Sequence, residues 1–438
     1  MNFSRIRILL LYASYKESRT MSYLDDWKDA FLRFPEFDAI PLNIARQGSR
    51  PLLRKTIGDF DLIVLLHSAT QRTLQFVKPL VDVLNTRKGR LLTFVGDELN
   101  YPGVLLSEKL KLIREIRADF IGTQLPLAAG RWLYGDCEGS AVVPLPHALN
   151  PAAFRPIVPA VRRPIDIGAR SVYYNPIYIG DDERNRLFDF FSSRRFDPPM
   201  RVDIVTLHAV ATGRFDRKGW ENFLNSCKGT IATEAGSYHL EKDDRTLQAI
   251  QRFLIEKQRR KGLKTISGDS FLQKAWSSLP AGIRPLSVKK AILKIFGILK
   301  IRHEHFISEG VEFEEIYEKF FLKYPGPRIF GKAISSRHFD AVGTKTCQIM
   351  FKGQFNGILN ADEHYIGLEH DFANVEDAVR RFHEDTYRQS MVDRTYEYVM
   401  DEHTHAHRMR TIMEALAIRD NPIPVENCAG NENPHRLS

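Results

Sequence analysis

The 438-residue chain has little cysteine: Cys137, Cys227, Cys347 and Cys428 lie far apart and form no CxxC pair. This scarcity argues against a disulfide framework and against a structural zinc site. Long apolar runs are also missing, since no stretch approaches the ~20 residues that a membrane-spanning helix needs. The short apolar run near the N-terminus is too brief for a secretory signal and predicts a first β-strand. We therefore expect a reducing, cytoplasmic environment and no metal centre.

Acidic residues are scarce in one segment of the chain. Between Gln251 and Arg302 there are 13 Lys/Arg and only 2 Asp/Glu, whereas the whole chain has a net charge of +9. The remainder is close to neutral, so we expect no nucleic-acid partner. Residues 286–302 have the spacing of a basic amphipathic helix. Such a helix either packs on the protein or makes a peripheral contact with the inner membrane surface, and both interpretations stay open.

Short apolar runs alternate with amphipathic helical patterns over the first 150 residues, and the same alternation begins again after residue 164. This pattern predicts an α/β fold with two parallel sheets, each covered by helices on both faces. A proline-rich stretch over 144–164 predicts an extended connector between them. The expected parts are a first Rossmann-like domain (1–150), a second (151–418) with a helical basic insert (about 245–332) and a closing helix (about 385–418), and a disordered tail (419–438).

Polar residues at the ends of the predicted strands are candidates for a site, because ligands bind beyond the carboxyl ends of parallel strands. In the first domain these are Ser14, His67, Ser68, Asp97, Glu98 and His147. In the second domain "DIGAR" and "TEAGS" end strands with Gly168, Arg170, Glu234 and Gly236. The stretch "SSRHFDAVGTKTC" combines hydroxyls, a cation, an imidazole and a carboxylate, which a phosphorylated and hydroxylated ligand could use.

Three stretches resemble one family of enzymes. "SSRHFDAVGTKTCQIMF" is similar to the S-x-R-x-F-E-A-x-A-x-G segment of the spore-maturation-type (CgeB-like) glycosyltransferases, group 1 of the GT-B superfamily. "DIGARSVYYNPIYIGDDER" resembles the opening of their second domain, and "DEHTHAHRM" resembles their H-T-Y-x-x-R near the end of the final helix. The resemblance covers roughly residues 140–412. It implies the GT-B fold, in which two Rossmann-like domains face a cleft.

The resemblance also implies roles for the candidate residues. A nucleoside diphosphate sugar would bind as a substrate, with no cofactor, since cations, glycines and a helix N-terminus can hold its diphosphate. The expected donor-binding residues are Gly168, Arg170, Glu234, Gly236, Ser336, Arg337, Asp340 and Lys345. The expected catalytic residues, including acceptor and donor-sugar contacts, are Asp97, Glu98 and His147. For each there is an alternative: a helix cap for Asp340, a solvated charge for Arg337 or Lys345, and a packed side chain for a histidine.

The paired carboxylates of the retaining GT-B enzymes are only partly present. Their second Glu falls on Asp340, but Lys332 stands eight residues earlier, where the first Glu is expected. We interpret the motif as split, with Glu234 as the first carboxylate and the basic insert between the two.

The predicted function is a glycosyltransferase of hexosyltransferase type that moves a sugar to an unidentified acceptor, with retention and without metal. A glycan, a lipid-linked compound or a protein could accept the sugar, and cell-surface polysaccharide synthesis is the expected setting. Two alternatives stay open: a nucleotide-sugar 2-epimerase, and a non-catalytic protein that binds nucleotide sugars.

Overall fold

The computed structural model describes residues 5–14, 21–71, 73–172, 175–207, 215–260, 311–323 and 329–420. Within them the chain forms two α/β domains, each built on a parallel sheet. The domains face one another across a cleft. The predicted fold class, α/β with two Rossmann-like domains in the GT-B arrangement, is confirmed.

The first domain is a six-stranded parallel sheet in the order β2-β1-β3-β4-β5-β6. Its strands are β1 (Ile6–Tyr12), β2 (Phe37–Asn43), β3 (Leu62–Leu65), β4 (Arg90–Phe94), β5 (Phe120–Thr123) and β6 (Ala141–Pro144). Its helices are α1 (Ser22–Arg33), α2 (Ser49–Thr56), α3 (Val81–Leu84), α4 (Leu106–Glu115) and α5 (Leu127–Tyr134). Strand β3 is buried along its whole length, because packing covers both of its faces, and its sequence is accordingly a continuous apolar run.

The second domain is a five-stranded parallel sheet in the order β13-β12-β9-β7-β8. Its strands are β7 (Ile165–Val172), β8 (Val202–Leu207), β9 (Cys227–Ala232), β12 (Cys347–Phe351) and β13 (Ile366–Leu368). A short antiparallel pair, β10 (Ala235–Ser237) and β11 (Gly331–Ala333), stands beside it. The helices after β7 are α6 (Glu183–Ser193), α7 (Arg217–Leu224), α8 (Arg245–Arg260), α9 (Phe313–Ile316), α10 (Ser336–Gly343), α11 (Val375–His383), α12 (Asp385–Glu402) and α13 (His405–Asp420).

The two sheets share a strand order that places a crevice at the same point in each. In the first sheet β1 lies between β2 and β3, and in the second β7 lies between β8 and β9. At such a reversal of strand order, the connections from two adjacent strands leave toward opposite faces of the sheet, and the space beyond their carboxyl ends opens. Both crevices contribute residues to the same interdomain cleft.

The segment predicted as one closing helix over about 385–418 is two helices, α12 and α13. The chain breaks at Thr404, which forms an isolated bridge with Leu149 of the interdomain connector. Beyond the break, Met409 and Ile412 of α13 pack in the core of the first domain rather than the second. The chain therefore crosses between the domains twice, once in the connector and once before α13.

Two polar anchors also join the domains. Asp244, which precedes α8, is fully buried and accepts hydrogen bonds from the Asn100 side chain at 2.7 Å and from the backbone N–H of Ser107 at 2.8 Å. On another side, Arg217 at the start of α7 donates to Asp26 of α1 at 3.0 Å. The cleft walls are therefore held at a defined separation by contacts outside the cleft itself.

Part of the predicted insert and the predicted tail lie outside the described residues, namely 261–310, 324–328 and 421–438, and so does the basic helix expected over 286–302. In the part of the chain that the structure describes, no helix combines the length and apolar character that crossing a bilayer requires.

Candidate functional site

The interdomain cleft is the candidate site. Its cavity has a volume of about 320 Å³ and is lined by the ends of strands from both sheets. It brings together most of the residues selected from the sequence: Asp97, Glu98, His147, Arg170, Glu234, Gly236, Ser336, Arg337 and Asp340. Residues that are far apart in the chain thus meet where the strand orders of the two sheets place a ligand.

The second-domain wall carries positive charge. The cleft-lining arginines among the described residues are Arg170, Arg184 and Arg337. Arg170 is held in place, since it donates to the Asp203 carboxylate at 2.9 Å and its guanidinium lies 4.1 Å from the centre of the Phe223 ring. A fixed guanidinium can pair with phosphate oxygens with little loss of conformational freedom.

Helix α10 points its N-terminus at the cleft. Ser335 caps it together with His338, whose Nδ1 accepts from the Ser335 backbone N–H at 2.9 Å. Ser336 and Arg337, in the first turn, line the cavity. A helix N-terminus presents unpaired N–H groups and a positive dipole end, so this corner of the cleft favours an anion. His338 itself is fully buried, which fits the expectation of a packed histidine.

Asp340 faces the same corner from one turn further along α10. Its carboxyl group is 4% exposed and accepts the indole N–H of Trp220 at 3.0 Å. Burial raises the pKa of Asp340 well above its usual range. Burial thus favours the protonated form of this carboxyl, which can both donate and accept a hydrogen bond.

Glu234 and Gly236 line the cleft and also hold the loops around it. The Glu234 carboxylate accepts the backbone N–H of Phe355 at 2.7 Å and that of Gln354 at 3.3 Å. Gly236 has a φ of +96°, and a Cβ there would lie 2.1 Å from the Gly331 carbonyl oxygen. Glycine is thus required for the close approach of β10 and β11.

Lys332 does not replace the missing Glu of the paired motif. It is 1% exposed, and its ammonium group pairs with Asp181 and, at 3.0 Å, with Glu183. Of these three residues, Asp181 lines the cleft. The Lys332 ammonium group is thus neutralised by carboxylates of the second domain.

Two predicted donor residues, Gly168 and Lys345, are not brought into the cleft. A Cβ at Gly168 would lie 2.3 Å from the Cys227 sulfur, so this glycine lets β7 pack closely on its neighbour. Lys345 follows the C-terminus of α10, where it pairs with Asp393 at 2.6 Å and lies over the ring of Tyr396. Neither residue is among those that line the cleft, and a donor contact at either stays a prediction.

The two neighbouring carboxylates of the first-domain wall have different environments. Asp97 has a left-handed backbone, with φ of +51°, and its exposed carboxylate accepts from Gln71 at 3.0 Å. Glu98 is buried, and its oxygens accept from Thr123 at 2.7 Å and from Tyr134 at 2.5 Å. Burial raises the pKa of Glu98. The Glu98 oxygens are thus bonded within the first domain, whereas the Asp97 carboxylate is exposed, and a catalytic role for either residue stays a prediction.

His147 lines the cleft as predicted, but its ring nitrogens face protein groups. Nδ1 lies 3.3 Å from the Trp27 indole nitrogen, and Nε2 lies 2.9 Å from the side-chain amide of Gln124. Burial lowers the pKa of His147 to about 3, so the ring is neutral.

Several cleft residues were not selected as site residues from the sequence. They include Tyr23, Gln124, Arg184 and Trp220. Gln124 had a detectable pattern, since it directly follows β5 and is polar at a strand end. Trp220 had none, because its place opposite Asp340 depends on how α7 packs against α10.

The sequence of the second domain is similar to a known family over part of its length. The family model described as "Glycosyl transferase-like" matches residues 303–414, about a quarter of the chain. This range contains α10 with Ser336, Arg337 and Asp340. No curated protein matches the sequence.

Solved structures with similar folds are distant in sequence. The sucrose-phosphate synthase of Thermosynechococcus elongatus is 11% identical, with a TM-score of 0.46, over 95% of this chain and 100% of that one. The Anabaena protein Alr3699/HepE in complex with UDP-glucose is 9% identical, with a TM-score of 0.46, over 94% and 100%. An alpha-glucosyltransferase in complex with UDP is 10% identical, with a TM-score of 0.42, over 94% and 100%. The segment that is similar to the glycosyl transferase-like model contains α10 and its cleft-lining residues Ser336, Arg337 and Asp340.

Proposed function

We propose that the protein is a glycosyltransferase that takes a sugar from a nucleoside diphosphate donor bound in the interdomain cleft. The observation that carries this proposal is the α10 corner. A helix N-terminus, Ser336 and Arg337 face the cavity there, within the segment that matches the glycosyl transferase-like model. Arg170 and Arg184 lie on the same wall.

The chemistry of the wall suits a diphosphate leaving group. When the bond between the sugar and the diphosphate breaks, negative charge grows on the leaving oxygen. Fixed guanidinium groups and helix N–H dipoles stabilise that charge without rearranging during the reaction. In this scheme Asp340 meets a ribose hydroxyl, and transfer proceeds with retention and without a metal ion.

The first-domain wall would then receive the sugar and the acceptor. Asp97 is its exposed carboxylate, and Gln71 already donates to it. A carboxylate that accepts hydrogen bonds can hold an acceptor hydroxyl. A glycan, a lipid-linked compound or a protein would present such a hydroxyl.

A thermal-shift panel of nucleoside diphosphates and their sugars tests the proposal. A ligand at ~100 times its dissociation constant should add about 2.7 kcal/mol of apparent stability. Arg337→Ala should weaken binding by about 1.5–3 kcal/mol through the loss of a charge-assisted hydrogen bond. Arg54→Ala is the matched control, because Arg54 is exposed on α2 and pairs with Asp82. Absence of any shift at millimolar UDP, GDP or their sugars would contradict the proposed function.

A further inference from the structure

Asp181 is a cleft carboxylate that was not selected from the sequence and that the proposed donor site does not yet use. It lies between β7 and α6 and lines the cavity. Its side chain is 7% exposed, so the carboxylate is largely removed from water. A buried carboxylate is costly unless protein groups pair with it and donate hydrogen bonds to it. The partners of Asp181 therefore decide what it can still offer to a ligand.

The buried Lys332 ammonium group holds the Asp181 carboxylate. Lys332 pairs with Asp181 and, at 3.0 Å, with Glu183. Oδ1 of Asp181 also accepts the backbone N–H of Glu183 at 2.9 Å. A carboxylate has about four acceptor sites, so Asp181 keeps the capacity to accept a further hydrogen bond. Because neither Lys332 nor Glu183 is among the described residues that line the cavity, Asp181 is the member of this cluster that a ligand meets.

The segment that precedes Asp181 is fixed by both domains. The backbone carbonyl of Ile179 accepts from the Ser237 hydroxyl at 2.8 Å, and the Ile179 side chain packs in the core of the first domain. The Tyr178 ring meets that of Tyr101 in the first domain edge to face, with the ring centres 5.9 Å apart. Asp181 is thus presented on an ordered backbone, and a ligand that bonds to it need order little of the protein.

The cleft arginines converge on a recess that Asp181 does not share. Arg170, Arg184 and Arg337 line this small recess beside the main cavity, together with Ser335 at the N-cap of α10. Asp181 lines the main cavity and is not among the described residues of the recess. A carboxylate repels a phosphate and accepts strongly from a hydroxyl. Asp181 therefore suits an uncharged part of the ligand that is rich in hydroxyls.

The order of groups along the second-domain wall matches the order of groups in a nucleoside diphosphate sugar. In such a molecule the diphosphate lies between the ribose and the sugar. On the wall, the α10 N-terminus follows β11, whose Lys332 holds Asp181, and it precedes Asp340, which accepts from Trp220 of α7. With the diphosphate at the helix N-terminus and the ribose at Asp340, the sugar is directed toward Asp181.

We propose that the Asp181 carboxylate accepts a hydrogen bond from a hydroxyl of the donor sugar. The inference rests on the proposed function for the identity of the ligand. The sugar then lies between Asp181 and the first-domain wall, where an acceptor would approach it. A nucleoside diphosphate without its sugar makes no use of this contact.

Calorimetry with UDP-glucose, UDP-galactose and GDP-mannose, and with UDP and GDP as their sugar-free counterparts, tests the contact. Asp181→Asn should weaken binding of the nucleotide sugars roughly three- to tenfold, because a hydrogen bond to a neutral amide is weaker than one to a carboxylate. Binding of UDP and GDP should be unaffected, which would also show that the variant is folded.

Glu183→Gln is the matched control. Glu183 pairs with the same ammonium group but is not among the residues that line the cavity. Its substitution removes one negative charge beside Lys332, as Asp181→Asn does, so a loss transmitted through Lys332 would appear in both variants. We expect Glu183→Gln to bind nucleotides and nucleotide sugars as the wild type does. The same loss for nucleotide sugars in both variants would overturn a direct contact with Asp181.

The outcomes separate the two proposals. If Asp181→Asn weakened nucleotides and nucleotide sugars equally, or weakened neither, the sugar contact would be overturned while the donor site stands. Binding of UDP or GDP but of none of the three nucleotide sugars would overturn the contact as well. If the wild-type protein binds none of the five ligands, the proposed function fails and the sugar contact fails with it.

Discussion

Replacing Asp244 should weaken the junction between the two domains. The sequence gives α4 no capping side chain of its own, since Leu105 stands at its N-cap. Asp244 supplies the missing acceptor from the second half of the chain, through the backbone N–H groups of Ser107 at 2.8 Å and Leu106 at 3.3 Å. It also accepts from Asn100 at 2.7 Å.

The magnitude follows from what each substitution removes. Loss of the cap costs about 0.5–2 kcal/mol. The amide of Asn100 keeps its hydrogen bond to the Glu241 carbonyl at 2.8 Å, so the loss of its other hydrogen bond, to Asp244, costs about 1 kcal/mol. Asp244 also has a φ of +55°, which costs alanine about 1–2 kcal/mol. We expect Asp244→Ala to lower the free energy of unfolding by about 2.5–5 kcal/mol.

Urea unfolding, followed by tryptophan fluorescence, measures this loss. Asp244→Gly removes the cap but tolerates the positive φ, so it should cost about 1 kcal/mol less than alanine. Asp244→Asn keeps an acceptor oxygen and the backbone conformation, and should cost less than about 1 kcal/mol. If the alanine, glycine and asparagine variants had equal free energies of unfolding, Asp244 would not be an anchor between the domains.

Two further substitutions test buried carboxyl groups. Asp340→Asn should weaken donor binding by less than about 1 kcal/mol, because burial favours the neutral form of the carboxyl, whereas Asp340→Leu should cost about 1–3 kcal/mol; equal losses in calorimetry would contradict this expectation. Burial raises the pKa of Asp26 from 3.8 to about 6, so the folded protein keeps a proton that the unfolded chain loses. The free energy of unfolding of the wild type, relative to that of Asp26→Asn, should therefore be greatest below about pH 4 and fall by on the order of 2–3 kcal/mol as pH rises to about 6. If urea unfolding gave parallel curves of unfolding free energy against pH for the two proteins, this prediction would be refuted.

Much of the fold could be predicted because buried parallel strands are continuous apolar runs. Strand β12, "CQIMF", is buried throughout, and its pattern alone identifies it. Strand β2 was not predicted, since "FDAIPLN" is an edge strand with polar residues and Pro41, and such strands lack the buried pattern. The break before α13 was also missed, because it depends on the contact of Thr404 with Leu149.

The candidate site was predictable where one short motif supplies several groups. Ser336, Arg337 and Asp340 all lie in the first turns of α10 and reach the cleft together. Lys345 belongs to the same stretch, but it lies nine residues after Ser336. At ~1.5 Å per residue this places it about 13 Å from Ser336 along the axis, beyond the C-terminal end of the helix. Gly168 lies two residues before Arg170 on the same strand and, unlike Arg170, is not among the residues that line the cleft.

Residues that meet only through the packing of elements could not be found from one sequence. Gln124 lies between two imidazoles in the cleft wall, and its carbonyl accepts from Asn356 of the other domain. Glu98 shows the converse case, since a carboxylate at a strand end looks available until Thr123 and Tyr134 are seen to hold it.

The most direct test of the central claim is the release of free nucleoside diphosphate from a panel of UDP- and GDP-sugars by the purified protein. A transferase whose cleft holds the donor should release nucleoside diphosphate slowly with water as the acceptor, and Arg337→Ala should reduce that release while Arg54→Ala does not. Release from none of the sugars, or equal release by wild type and Arg337→Ala, would contradict the account.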